Sequence, residues 1–314
     1  MPVDEPAGWL PELAITPELA APVIAEQFPA LAGLPVHAFG QGWDNAVLSV
    51  GERWLFRFVH RAIAIDGSRR ERAVLQEVGP LLPLPVPLPC FVGRPTPELP
   101  WPFWGAERLP GVELAEVERE GPGAVGLVGV AGALGAFLRE LHQPRHAATA
   151  VALDLPVDPV GRSDPHRQAA RGGERLAQLR AAGVVGPDRA VDDALAEAAA
   201  LGEPAGPPVL VHGDLHLRHV LVLPEPPARV GGVIDWGDTS LGDPAVDLMI
   251  AYSGFEGAAR EALLEAYGTV PPERIAHARA VALAVTAALT LGAVATGPSS
   301  LVAAGVAALA RAAR

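Results

Sequence analysis

The chain has 314 residues, half of them hydrophobic, which is enough for one large domain or two modest ones with a substantial core. Lys and Arg number 24 against 36 Asp and Glu, a net charge of −12, and this acidic balance excludes the basic footprint that nucleic-acid binding needs. It suits solubility and would attract a cationic small molecule. One cysteine, Cys90, excludes a disulfide framework within the chain and fits a reducing, cytoplasmic setting. The sequence contains no lysine, so any site that usually holds one must hold another residue here.

The N-terminal stretch "MPVDEPAGWLPELAIT" has no basic region followed by an apolar run and is not expected to be a secretory signal. "VHAFGQGWDNAVLSVG" predicts a hairpin around a Gly-rich turn from Gly40 to Asn45, and the alternating "RWLFRFV" predicts a strand. "GSRRERAVLQEVGPLL" has helical spacing, with Val74, Leu75 and Val78 on one face. "LPLPVPLPCFVGRPTPELPWP" holds too many prolines for a central strand and suits an edge segment or connector. "FWGAERLPG" reads as a short strand ending at Pro110-Gly111, and a lobe boundary is expected there, with residues 1–108 in the first lobe and 109–314 in the second.

Beyond the boundary the chain reads mainly as helix. "GAVGLVGVAGALGAFLRELHQ" is a long apolar helix despite its glycines, and Pro144 to Pro165 is expected to be irregular. Charged helices follow in "HRQAARGGERLAQLRAAG" and "PDRAVDDALAEAAALG". A compact β insert interrupts them, with strands in "PVLVHGD", "HVLVLP" and "ARVGGVIDWGD". "AVALAVTAALTLGAVAT" is the only membrane candidate; it falls short of the about 20 strongly apolar residues a span needs, and two packed core helices joined by a Gly-Pro turn are expected instead. Strands first and helices after favour an α+β, two-lobed fold over alternating α/β.

The chemistry concentrates in the β insert. Three short strands joined this way should lie together and bring Asp214, His219 and Asp235 to one place. A carboxylate after one strand, an imidazole five residues on and a carboxylate after the third strand suit metal-assisted phosphoryl transfer. Asp214 could take the proton of an attacking hydroxyl, and His219 and Asp235 could hold Mg²⁺ on nucleotide phosphates. Asp243 is expected as an N-cap with Pro244 at the first helical position. Asp247 is expected to anchor the loop from that helix and His212 to be a buried scaffold residue. The role of His216 stays open, and Asp238 reads as a loop residue within reach of metal or substrate. Trp101, Trp104 and Trp236 read as core.

"VLVHGDLHLRHVLV" followed by "GGVIDWGDTSLGDPAVDL" resembles the catalytic core of the aminoglycoside phosphotransferase and choline-kinase-like family, which has a bilobal protein-kinase-like fold. That resemblance implies an ATP- or GTP-dependent kinase acting on a small-molecule hydroxyl, with Asp214 as base and His219 and Asp235 on the metal. It also implies a nucleotide loop at Asn45, Arg57 in the place of the kinase lysine, Glu71 as its ion-pair partner, and backbone near Ala106 to Arg108 meeting the adenine. The family usually has Asn where this chain has His219. Imidazole offers one nitrogen in place of an amide oxygen, which bears on Mg²⁺ against Mn²⁺. The acceptor is expected to be a cationic small molecule such as an aminoglycoside or related antibiotic. Neither nucleic acid nor membrane is expected as a partner, and the chain is expected as monomer or homodimer. Two other functions fit parts of the pattern: a non-catalytic pseudokinase-like nucleotide binder, prompted by His219, and a metal-dependent hydrolase, prompted by the three histidines beside Asp214.

Overall fold

The structure is a computed structural model that describes residues 11–42, 44–117, 124–204 and 206–314. The first ten residues of the N-terminal stretch, and Trp43 in the Gly-rich turn, lie outside the described residues. The chain forms two compact units, one running to Pro80 and resuming over Pro87–Arg108, the other made of Leu81–Val86 and Leu109–Arg314.

The first unit is a five-stranded antiparallel sheet with two helices. Helix α1 (Pro17–Gln27) begins at Thr16, whose hydroxyl accepts from Leu19 N, with Pro17 in the first turn. Strands β1 (Val36–Gln41), β2 (Asn45–Val50) and β3 (Trp54–Val59) follow, then α2 (Ile65–Glu77), β4 (Pro89–Gly93) and β5 (Phe103–Glu107), in the sheet order β1-β2-β3-β5-β4. The proline-rich run thus supplies an edge strand, where missing N–H donors cost the sheet least. Alternation sends Leu48, Val50, Phe56, Phe58 and Phe103 into one core with Ala20, Ile24 and Leu31. Arg57, on the opposite face of β3, meets α2, whose Val74 and Leu75 are buried together with Val78 at its C-cap.

The second unit is mainly helical. Strand β6 (Val112–Glu113) leads into α3 (Leu114–Val117), α4 (Ala124–Leu141), α5 (Pro144–Ala152), α6 (Pro165–Ala181) and α7 (Arg189–Ala199). Strands β7 (Val209–Val211), β8 (Val220–Leu223), β9 (Arg229–Val233) and β10 (Ser240–Gly242) precede α8 (Ala245–Ser253), α9 (Gly257–Tyr267), α10 (Pro272–Thr296) and α11 (Ser299–Ala312). The glycines of α4 have a packing use: a Cβ on Gly135 would lie 2.1 Å from Leu263 O, so this glycine lets α9 approach α4 closely. Among the described residues α10 is the one helix long and apolar enough to cross a membrane. It packs against α6, α7, α8 and α11, and meets α11 at a Gly297-Pro298 turn.

Two sequence expectations need correction, and the insert holds one strand more than expected. Residues 144–152 are helical rather than irregular: Pro144 opens α5 with a preset φ, and His146 and Ala150 turn inward. The three expected strands of the insert are present and fall in two small sheets. β7 pairs with β10, a three-residue strand absent from the sequence reading, while β8 pairs with β6 and β9. Helix α8 starts one residue later than expected, with Pro244 in the capping position, although the Asp243 carboxylate still accepts from Ala245 N at 2.8 Å.

Candidate active site

Strand β7 delivers His212, Gly213 and Asp214 into a turn that only glycine permits at its centre. Gly213 has φ +90°, and a Cβ there would lie 2.3 Å from Asp238 O. The turn is fastened from α8: the fully buried Asp247 carboxylate accepts from His212 N at 2.7 Å and from Gly213 N at 2.9 Å. Asp247 also takes the Nε2 proton of His142 at 3.2 Å, which leaves His142 Nδ1 to accept from Tyr267 at 3.0 Å. A charged acceptor shared by two backbone donors and one imidazole holds the loop far more tightly than its short strand could alone.

The histidine tautomers follow from their partners. His212 Nε2 lies 3.0 Å from Ile234 O, a group that can only accept, so Nε2 carries the proton and Nδ1 accepts from Asp214 N at 3.3 Å. His212 is thus a neutral scaffold residue with both nitrogens in use. His216 Nδ1 accepts from Arg218 N at 3.2 Å, which puts its proton on Nε2, 3.5 Å from Asp214 Oδ2. His219 Nδ1 donates to Asp214 O at 2.8 Å, so its Nε2 lone pair faces outward, 3.4 Å from Asp235 Oδ2. Burial, helped by the neighbouring His216, pushes the His219 imidazole down to about 3, so the ring is neutral.

Asp214 is shaped by a residue the sequence reading missed. Arg162 Nη2 lies 3.0 Å from Asp214 Oδ1, while its Nη1 donates to Gly213 O and to Asp238 Oδ2, each at 2.6 Å. Burial works against the charged carboxylate. The Arg162 guanidinium, then His216 and His219, outweigh it and hold Asp214 well below the usual carboxylate range. Arg162 is itself seated by its N–H on Asp158 Oδ1 at 2.7 Å and by His277 Nε2 donating to its carbonyl at 3.0 Å. It lies in an aperiodic segment 52 positions before Asp214, so no local pattern marks it; a lone arginine after "VDPVG" gives no signal of its own.

Asp235 follows β9 with φ +64°, a left-handed conformation costing of order 1 kcal/mol that Asp tolerates better than most residues. Trp236 behind it is fully buried, its indole N–H on Val233 O at 3.1 Å. Two electron-pair donors, the His219 imidazole and the Asp235 carboxylate, therefore face each other at 3.4 Å. They repel unless a proton or cation lies between them, and an outward Nε2 with Nδ1 tied to a carbonyl is the usual arrangement of a metal-binding imidazole. The donor set thus fits a divalent cation. Ligand atoms of Asp214, His216 and His219 also come within 4.8 Å of one another, the grouping a hydrolase would use. His216 does not suit that role, because its Nδ1 already accepts from Arg218 N and a metal on Nε2 would displace its only proton.

The remaining expected site residues lie in the first unit. Arg57 Nη1 pairs with Glu71 Oε1 at 3.1 Å, with Glu71 1% exposed. Asn45 opens β2, accepts from Gly42 N at 2.9 Å through its carbonyl, and has a buried side-chain Oδ1 with no hydrogen-bond donor among the described residues. Ala106 is buried in β5 between β3 and β4. The Arg108 backbone N–H donates to Arg53 O at 2.7 Å, which leaves its carbonyl as the free backbone group, and its guanidinium lies 5.0 Å from the centre of the Phe39 ring.

A sheet-bearing first unit, a helical second unit and an aspartate loop tied to a following helix define a protein-kinase-like fold. Residues 35–279 match the model of the phosphotransferase enzyme family, and the chain belongs to that family. Solved structures with the same fold include the GDP complex of wild-type aminoglycoside 2'-phosphotransferase-IIIa, at 22% identity and TM-score 0.63 over 95% of this chain and 99% of that one. Macrolide 2'-phosphotransferase MphH from Brachybacterium faecium aligns at 24% identity and TM-score 0.57 over 93% and 97%. The streptomycin–ATP–APH(2'')-IIa ternary complex aligns at 16% identity and TM-score 0.57 over 95% and 97%. No curated protein matches the sequence.

Proposed function

We propose that the chain transfers the γ-phosphoryl group of ATP or GTP to a hydroxyl of a small cationic acceptor, an aminoglycoside or related antibiotic. The observation that carries this reading is the relation of Asp214 to His219 and Asp235. One aspartate is kept ionised, and its own carbonyl fixes the imidazole whose free lone pair faces a second carboxylate. Family membership supports phosphoryl transfer, and the net charge of −12 supports a cationic acceptor.

In this reading the acceptor hydroxyl sits against Asp214 Oδ2, the oxygen that Arg162 does not hold and whose contact with His216 is long, at 3.5 Å. The acceptor oxygen forms its bond to the γ-phosphorus, the bond from that phosphorus to the bridging oxygen breaks, and a nucleoside diphosphate leaves. The hydroxyl proton passes to Asp214. A carboxylate this acidic is a weak base, which suits a loose transition state in which the proton leaves late and orientation dominates. His219 Nε2 and Asp235 would hold a divalent cation, Mg²⁺ or Mn²⁺, which neutralises phosphate charge when bound. In the first unit, Arg57, oriented by Glu71, would meet nucleotide phosphates beside the Asn45 turn, with the Ala106–Arg108 backbone near the base.

The test is a panel of aminoglycosides, macrolides, amino sugars and amino alcohols with ATP and with GTP. Nucleoside diphosphate release and the phosphorylated acceptor are both measured, the latter by mass spectrometry. Acceptor-dependent release with a phosphorylated product supports the reading. Tight nucleotide binding without transfer to any acceptor would establish a pseudokinase-like binder instead. Zinc-dependent ester or lactam cleavage without nucleotide binding would establish a hydrolase.

A further inference from the structure

Within the first unit, a cavity of about 240 Å³ lies between α2 and the β4–β5 hairpin, lined by Ser68, Arg69, Arg72, Val92, Pro102 and Trp104 among others. Two of these groups lack partners. Trp104 is 2% exposed, and its indole Nε1–H finds no acceptor among the described residues. A buried donor of this kind is rare in a finished fold and marks a place where another group belongs. Arg72 has no carboxylate within ion-pair distance among the described residues, whereas Arg53, Arg57 and Arg69 pair with Glu107, Glu71 and Asp66. In a chain with excess acid, an unpaired guanidinium at a partly apolar cavity is charge complementarity without its counterpart.

We propose that this cavity binds a small organic anion. Its apolar body sits among Val92, Pro102 and Trp104 and its carboxylate lies on Arg72, with the Ser68 hydroxyl and the Trp104 indole as neutral donors. An arginine fork and a planar carboxylate match in geometry, so the charge, and not the apolar body alone, sets the preference. The position is consequential. Trp104 is the cross-strand partner of Arg57 in the sheet register, and Glu71 precedes Arg72 on α2. An occupant therefore touches α2, which carries Glu71, and β5, the strand paired with the β3 that carries Arg57. The proposal does not depend on the phosphotransfer reading.

The probe is 3-phenylpropionate, with uncharged 3-phenylpropanol as its counterpart, titrated into the full chain by calorimetry and by NMR of the tryptophan indole N–H signals. The Trp104 signal is the one absent from Trp104→Phe. The acid should bind saturably, about tenfold tighter than the alcohol, and shift the Trp104 signal. Arg72→Gln should remove that preference while leaving alcohol binding intact, and Ser68→Leu, which fills the cavity, should abolish both. A thermal melt of each variant checks folding; Arg72, only partly buried, is the change least able to disturb it. The proposal is overturned if the acid shows no saturable binding, if acid and alcohol bind alike, if the Trp104 signal stays still, or if folded Arg72→Gln keeps the preference.

Discussion

Arg162 holds the Asp214 carboxylate with one guanidinium nitrogen at 3.0 Å and the carbonyl of the preceding Gly213 with the other at 2.6 Å. It grips the side chain and the backbone of the same turn at once, so the orientation of Asp214 and its ionisation have a common source. The same Nη1 also reaches Asp238 at 2.6 Å, which ties the Asp214 turn to the loop after β9.

Arg162→Met should therefore damage geometry and stability together. It leaves the carboxylates of Asp214 and Asp238 without their shared cation. Removing one partner from a fully buried ion pair costs about 3 kcal/mol, and less from these partly exposed ones, while a misplaced catalytic group costs roughly 10²-fold in rate. The expected outcome is a lowered urea midpoint with a kcat loss of that order and little change in nucleotide affinity. Chemical denaturation, steady-state kinetics and nucleotide titration read the three quantities separately. A variant of unchanged kcat would show that the Arg162 grip is not needed to orient Asp214.

His277 supports Arg162 from α10, and burial pushes its imidazole below the ordinary value of 6.5. The groups facing it are Asp243, at 3.9 Å, with Asp158 favouring the proton and Arg274 opposing it. The sign follows from linkage. Above pH 6.5 the ring is neutral in both folded and unfolded chains and contributes nothing. Below it, the unfolded chain takes up a proton that the folded chain resists, so stability falls as pH drops. His277→Gln keeps a donor for the Arg162 carbonyl and removes the titration. Its denaturation midpoint should fall less steeply than the parent's below pH 6.5. Equal slopes would count against burial of a neutral His277.

His219→Asn exchanges a nitrogen donor for an amide oxygen. Mg²⁺ prefers oxygen and Mn²⁺ tolerates nitrogen better, so the variant should retain activity and shift its preference toward Mg²⁺. Mn²⁺ binding followed by electron paramagnetic resonance gives a readout apart from turnover, and should weaken in the variant. Unchanged metal dependence would mean that His219 does not bind the cation.

The parts of this molecule legible in its sequence are those written as local pattern. The hairpin of β1 and β2, the edge position of the proline-rich strand and the helical face of Val74, Leu75 and Val78 follow from periodicity and proline chemistry. The convergence of Asp214, His219 and Asp235 was legible because short apolar runs bracket each of them. The strand pairing was not: three-residue strands such as β7 and β10 carry almost no intrinsic register, and tertiary contacts such as Thr239 Oγ1 on Val211 O choose their partners. Arg162 was illegible for the same reason. Its partners Gly213 and Asp238 are 51 and 76 positions away, and its seat depends on Asp158 at φ +41° and on His277 from another helix. Helix α5 was illegible because its segment carries little periodic pattern; in the fold Pro144 serves as its start.

The measurement that bears most directly on the central claim compares Asp214→Asn with the parent chain. Nucleotide binding and acceptor-dependent transfer are measured on the same preparations. Asparagine keeps the size of the side chain and an oxygen for Arg162 but cannot take the hydroxyl proton. The account predicts nucleotide affinity close to the parent's and transfer lowered by about 10²- to 10⁴-fold, the usual worth of a positioned acid–base group. A folded Asp214→Asn chain that transfers phosphate at near the parent's rate would contradict it.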